Sequence, residues 1–314
     1  MGVELHIGLS AVIVAADQGS PHCLETRRDG ALAALPFGMF DPVHDRTFEL
    51  ALRGWVQQQT GFSIGYVEQL YTFGDRGRET PEAVAPNATD DARMVSVGYL
   101  ALTSQPAAVE AGFEAEWRSW YAHFPWEDHR GGRPRIINEV IAPQLHTWAA
   151  GNDQRLDRAR LAFALDDQAW IEERALERYE LLYEAGLVTE APRDAGLPAD
   201  ATSLGEPMAS DHRRILATAI ARLRGKLKYR PVLFEMVGDR FTLSALQTTA
   251  EGILGMTLHK QNFRRALDRS GLVEGTGDME TGTGGRPAEY FRFRRELRRR
   301  RVLKGVAMPG TRRD

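Results

Sequence analysis

The sequence predicts an α+β protein: an N-terminal α/β/α sandwich, a helical middle, and a basic C-terminal helix-turn-helix with a β-wing. Three observations carry this reading. Apolar, β-rich runs flank one amphipathic helix near the N-terminus. Helical spacing then dominates as far as Ala185. Charge, finally, is unevenly spread: residues 210–314 hold 23 Lys+Arg against 11 Asp+Glu, whereas residues 1–209 hold 17 against 32. The formal net charge of −3 hides this asymmetry, which points to a nucleic-acid-binding module joined to a part that binds none.

Taken in order, Leu5 to Ala16 reads as a buried strand, Cys23 to Arg28 as a second, and Ala33 to Phe40 as a third segment entering a loop. Phe48, Leu52, Trp55 and Val56 recur at helical spacing, which predicts a helix over Arg46 to Gln59 closed by Gly61. Strands are expected at Ile64 to Phe73 and Met94 to Leu102, separated by a polar loop over Gly74 to Asp91, with a helix near Ala111 to Tyr121. The middle predicts helices at Arg135 to Ala149, Leu156 to Ala164 and Ala169 to Ala185. Pro192 to Met208 has the composition of a linker, and Asp211 to Lys228 reads as a helix leading into the basic module. The implied division is 1–122, 123–208, 209–300, and a flexible basic tail over 301–314.

Composition excludes several classes. No apolar run approaches the roughly 18 residues that would span a bilayer, and the N-terminus lacks a basic stretch before its first apolar run. A single cysteine, Cys23, leaves no intramolecular disulfide and no cysteine-based zinc site. A soluble protein of the reducing cytoplasm is expected.

The basic module is the most informative stretch. Thr242 is placed as an N-cap, with Phe241 and Leu246 as its hydrophobic staple. Gly255 breaks the helix, and a second helix follows over Leu258 to Asp268. Phe263, Ala266 and Leu267 lie on one face of it; Lys260, Gln261, Arg264 and Arg265 lie on the other. Leu272 to Glu274 and Tyr290 to Phe293 then flank a glycine-rich loop carrying Arg286. A helix presenting Gln and Arg beside a loop carrying Arg suits the reading of a DNA groove, so Lys260, Gln261, Asn262, Arg264, Arg265 and Arg286 are the candidate DNA contacts. Asn262 has the alternative of a cap or a buried hydrogen bond. Thr242 and Ser244 are placed either to meet phosphate at a helix N-terminus or to act only as caps.

Leu35-Pro36-Phe37-Gly38 through Gln59-Thr60-Gly61-Phe62 resembles a Nudix box. That motif positions carboxylates to hold Mg²⁺ against a pyrophosphate. Counted back from Gly61, the carboxylate positions here fall on Gln58, Gln59, Trp55 and Arg46, with Gly54 in place of an arginine. Carboxamides and an indole do not supply the charged oxygens that a hard cation requires. Asp41, Asp45 and Glu49 remain nearby, and their alternative is a solvated helix start. The expectation is a box that keeps its frame and loses its metal chemistry.

Gln69-Leu70-Tyr71-Thr72-Phe73-Gly74-Asp75, Arg93 to Leu100, Lys226 to Val232, Lys260 to Arg265 and Gly284-Gly285-Arg286-Pro287-Ala288 together resemble the Nudix-related transcriptional regulators of the NrtR family. The added helical middle is similar to the NadQ subgroup. The resemblance implies a homodimeric repressor of NAD-biosynthesis genes that binds a double-stranded operator palindrome and needs no cofactor. Its effector is expected to be ADP-ribose, NAD or ATP. Candidate effector contacts are Arg27, Arg28, Arg53 and Arg93 for phosphates, and Phe37, Phe40 and Phe73 for stacking on adenine. Each has the alternative of an ordinary surface arginine or core phenylalanine. The rival function is a pyrophosphatase whose basic domain only localises it.

Overall fold

A computed structural model describes residues 5–27, 31–78, 92–104, 106, 109, 113–198, 204–280 and 287–294. Six strands form one sheet: β1 (Leu5–Asp17), β2 (Ser20–Thr26), β3 (Phe37–Met39), β4 (Tyr66–Phe73), β5 (Arg93–Thr103) and β6 (Ala115–Ser119). Their order is β4-β5-β1-β2-β6, with β3 also paired to β1. β1 and β5 run parallel over Leu5↔Arg93 to Ala15↔Thr103, and the remaining pairs are antiparallel.

Because strand side chains alternate, β1 feeds two cores. Leu9, Ala11 and Ile13 meet Ala51, Leu52 and Val56 of α1 (Phe48–Thr60) on one face. Val12 and Val14 belong to the core shared with Ile215, Leu216, Ala219 and Leu223 of the long helix over His212–Leu227. The α/β/α sandwich is therefore as expected. Thr47 caps α1 and Gly61 closes it at φ +68°.

Between the sheet and that long helix the chain is helical: α2 (Trp120–His123), a π-helical turn (Ile137–Ile141) running into α3 (Ala142–Trp148), α4 (Asp153–Phe163), α5 (Ala175–Glu184) and α6 (Glu190–Asp194). The spacing predicts the π-helical turn with α3, α4 and α5; α2 was not expected, and α6 runs into the stretch read as a linker. The long helix is α7. The core it joins is continuous, from Val12 and Leu100 in the sheet through Trp126, Phe163 and Leu182 to Ile253, Phe263 and Leu267 near the C-terminus. The helical middle is thus packed on both sides.

Three expectations are corrected. The helix near Ala111 to Tyr121 is mostly strand β6, because pairing with β2 (Glu25↔Glu116) outweighs the local apolar spacing. The helix expected from Ala169 begins later, at Ala175, after a short 3-10 turn. The C-terminal end of the expected linker is packed: Leu204 and Met208 are buried, and the Ala209 N–H donates to the Ala33 carbonyl at 2.8 Å. Apolar anchors within a Gly/Ser-rich composition account for that difference.

Candidate nucleic-acid interface

The C-terminal module is a three-stranded sheet, β7-β9-β8, with two helices, α8 (Leu243–Leu254) and α9 (Lys260–Ser270). β7 is Phe241–Thr242, β8 Val273–Glu280 and β9 Ala288–Phe293. Thr242 caps α8 by accepting from the Ala245 N–H at 3.1 Å, and Phe241 and Leu246 are both buried, as a staple requires. Thr242 is itself buried, so it serves as a cap; Ser244 is exposed.

The turn between the helices is fixed by groups the sequence reading missed. Glu251 accepts from the Leu258 N–H at 2.8 Å and from Gln247 Nε2 at 2.9 Å, while Gln247 also donates to the Leu258 carbonyl at 3.0 Å. Their i,i+4 spacing was the available signal. Gly255 ends α8 in the left-handed region, at φ +71°.

On α9, Phe263 and Leu267 are fully buried, whereas Lys260, Gln261, Asn262, Arg264 and Arg265 are exposed. None of these five pairs with another described residue. Asn262 is neither a cap nor a buried hydrogen-bond partner. Arg269 extends the exposed row by one more turn and was not singled out from sequence. In the wing, Arg292 pairs with Glu274 at 2.7 Å and Arg240 with Asp278 at 3.1 Å. Arg286 lies outside the described residues.

The effector candidates do not converge. Phe73 is 2% exposed, packed in the α7-side core with the Arg214 guanidinium 5.4 Å from its ring centroid, which leaves no face for a base. Phe40 stacks edge-on against Phe48 at 4.6 Å on the opposite face of the sheet. Phe37, half-buried, lies 5.7 Å from the His212 ring. Arg53 pairs with Glu49 at 2.8 Å and donates to the carbonyls of Ile64 and Gly65. Arg93 donates to the Gly74 carbonyl at 3.0 Å, and Arg27 is exposed beside Glu116. Arg28 lies outside the described residues. Cavities of about 630 and 580 Å³ lie elsewhere, against the winged module, and none of these side chains lines them.

Two of the box positions, Trp55 and Gln59, serve as scaffold, whereas Arg46, Gly54 and Gln58 are exposed. Gln59 holds the Phe37 backbone from both sides, accepting from its N–H at 3.0 Å and donating to its carbonyl. Trp55 donates to the Met39 carbonyl at 3.0 Å, and its ring lies so close to Gly38 that a Cβ there would overlap it. Asp41 accepts from the Val43 N–H at 2.8 Å and from His44, Asp45 accepts from the Asp41 N–H, and Glu49 holds Arg53. Hydrogen bonding to Asp41 raises the His44 pKa and lowers that of the carboxyl. Among the described residues no group of three or more His, Cys, Asp or Glu side chains is placed to hold a metal ion.

Residues 233–293 match the NrtR DNA-binding winged helix domain. The C-terminal module is a winged helix of the NrtR type. A curated relative from Acinetobacter baylyi, described as an ADPR responsive transcriptional repressor, is 42% identical over 86 residues, which are 27% of this chain and 34% of that protein. The match thus spans about a third of the curated relative. The fold extends further. Shewanella oneidensis NrtR in complex with a 27mer DNA superposes with a TM-score of 0.58 over 96% of this chain and 99% of that one, at 18% identity. A MutT/nudix family protein from Enterococcus faecalis superposes with a TM-score of 0.53 over 93% and 88%, at 16% identity. A Nudix-like sandwich followed by an NrtR-type winged helix is the architecture, and no helix among the described residues is long and apolar enough to cross a membrane.

Proposed function

We propose that the protein is a transcriptional repressor that binds a double-stranded operator palindrome as a homodimer in the cytoplasm, and that senses an adenine nucleotide through a non-catalytic Nudix-like domain. The exposed row Lys260, Gln261, Asn262, Arg264 and Arg265 on a helix anchored by Phe263 and Leu267 carries the reading. Arg pairs bidentately with guanine and Gln or Asn with adenine in the major groove, while the remaining cations hold phosphates. The basic balance of residues 210–314 supplies the sequence-independent part of the affinity. Working boundaries are 1–122, 123–208, 209–300 and 301–314.

The Acinetobacter relative's description makes ADP-ribose the first effector to try, with NAD and ATP beside it. Binding shifts the protein between two states of unequal DNA affinity. A change from 1:99 to 99:1 needs about 5.5 kcal/mol of discrimination between them. Fluorescence anisotropy with duplex DNA from promoters of NAD-biosynthesis genes tests the reading, with and without each nucleotide and against a matched RNA. Salt-sensitive binding preferring duplex DNA is expected; equal binding to the RNA refutes it. The absence of catalysis is supported by Trp55 and Gln59, whose polar atoms hold β3 in place of a metal. Incubation with ADP-ribose and Mg²⁺ should yield no AMP. Robust turnover abolished by Asp45→Ala would restore the pyrophosphatase reading.

A further inference from the structure

The C-terminal end of α8, inside the helix-turn-helix, is capped by residues from outside the 233–293 segment. The Tyr121 hydroxyl donates to the Gly252 carbonyl at 2.6 Å, Arg224 Nε to the Ile253 carbonyl at 2.9 Å, and the His129 N–H to the Gly255 carbonyl at 2.7 Å. A helix end leaves its last carbonyls without intrahelical partners, and three here are answered from the segment after β6 and from α7.

One of those caps, Arg224, is tied to a buried carboxylate. Glu127, fully buried, accepts from Arg178 Nε and Nη2 at 2.5 and 2.9 Å and from Arg224 Nη1. Arg178 and Arg224 are also fully buried. Burial acts to raise the Glu127 pKa, but the two guanidiniums outweigh it and hold the carboxyl below its ordinary value. Arg178 extends from α5, so the helical middle and α7 meet at this carboxylate, and Arg224 links it on to α8.

A second contact comes from the sheet. The β1–β2 hairpin turns through Gln18 and Gly19, both at positive φ (46° and 80°). Its tip rests on α8 with no room for a side chain: a Cβ on Gly252 would overlap the Gly19 carbonyl, and a Cβ on Gly19 would overlap Thr248.

We propose that Tyr121, Arg224 and the Gly19–Gly252 approach are positioning elements that seat the helix-turn-helix on the Nudix-like sheet, and that nucleotide occupancy reaches the DNA-reading helix through this seat. The inference rests on the nucleotide-sensor reading above and adds where the signal passes. The turn held by Glu251 then carries any tilt of α8 directly into α9.

Gly252→Ala is the main test. Alanine favours the helix locally, yet its Cβ forces the hairpin tip off α8. Tyr121→Phe removes one cap and keeps the ring. DNA dissociation constants are measured by anisotropy on full-length protein, with ADP-ribose, NAD and ATP each as probe, alongside the melting temperature. In the wild type, a nucleotide effect of roughly 5–150-fold is the usual span of such coupling, and in both variants it should fall below about threefold while DNA binding without nucleotide persists. Tyr121→Phe supports the seat even if Gly252→Ala fails to fold, provided its melting temperature is close to that of the wild type. A wild-type nucleotide effect retained in full by Tyr121→Phe or by a folded Gly252→Ala overturns the seat and leaves the sensor reading standing. If no probe changes wild-type DNA affinity, the sensor reading falls and this inference falls with it.

Discussion

Two helices of similar length, α1 and α9, carry the polar side chains on which any functional reading of this chain depends, and they use them in opposite ways. On α1 three of them bond to the surrounding scaffold. Gln59 grips Phe37, Trp55 reaches the Met39 carbonyl, and Arg53 holds Glu49 and the Ile64–Gly65 backbone. On α9 they turn outward, and Lys260, Gln261, Asn262, Arg264 and Arg265 pair with no other described residue. A polar side chain already paired to its own scaffold has little left to offer a ligand. An unpaired row on a rigid helix is available for recognition, and no internal hydrogen bond has to break on binding. In the α1 region Trp55, Gln59 and Arg53 are structural, bonded to the backbone around them. The α9 region has the reverse arrangement, with burial confined to two apolar anchors.

Removing an anchor is the harshest test of that contrast. Phe263 is fully buried between α9 and its neighbours, so Phe263→Ala should cost about 3–5 kcal/mol of stability. Chemical denaturation followed by circular dichroism measures it. A loss below 1 kcal/mol would mean that α9 is not seated as described.

Changes to the exposed row should leave stability almost untouched and act on DNA alone. Arg264→Ala is expected to relax preference at one base pair by about 1–3 kcal/mol if it reads guanine. Lys260→Ala should weaken binding evenly across sequences and reduce the slope of log K against log salt by about one. Competition binding against a panel of single-substituted duplexes separates the two. A uniform loss in Arg264→Ala assigns it to phosphate.

On α1 the same kind of change should do the opposite. Gln59→Glu puts a carboxylate back at a box position, but a carboxylate cannot donate to the Phe37 carbonyl that Gln59 now serves. The expected outcome is a loss of about 1–3 kcal/mol, with no AMP released from ADP-ribose and Mg²⁺. Hydrolysis gained without loss of stability would break the contrast between the two helices.

Much of this was readable in the sequence, for stated physical reasons. The caps at Thr242, Gly61 and Gly255 and the split faces of α9 are local, because a turn's chemistry and a 3.6-residue period are set by near neighbours. The missed features depend on distant partners. β6 exists through pairing with β2, Met208 is anchored beside Ala33, and Glu127 meets Arg178 and Arg224 across 51 and 97 residues. The effector candidates failed to converge for the same reason. Phe73 and Phe40 lie on opposite faces of one sheet, and no spacing rule could tell which phenylalanine would lie under a helix.

The inward-facing side also responds to pH. His212 at the start of α7 is buried, and its Nδ1 accepts from the Leu35 N–H at 3.1 Å, two residues from the Phe37 backbone that α1 holds. Burial, helped by the Arg193 charge, pushes its pKa from 6.5 down to about 4. The unfolded chain therefore takes up a proton that the folded chain refuses, and stability falls as pH drops from 6.5 towards 4. The slope is at most about 1.4 kcal/mol per pH unit for each such histidine. His129, pushed down to about 4 chiefly by burial, adds a slope of the same sign. Glu127 titrates below its ordinary 4.5 and contributes only at the acid end. Urea midpoints measured from pH 7 to pH 4.5 should decline, and His212→Gln should flatten the decline without changing DNA affinity at pH 7. An undiminished slope in that variant would show that His212 is not the buried neutral group that ties β3 to α7.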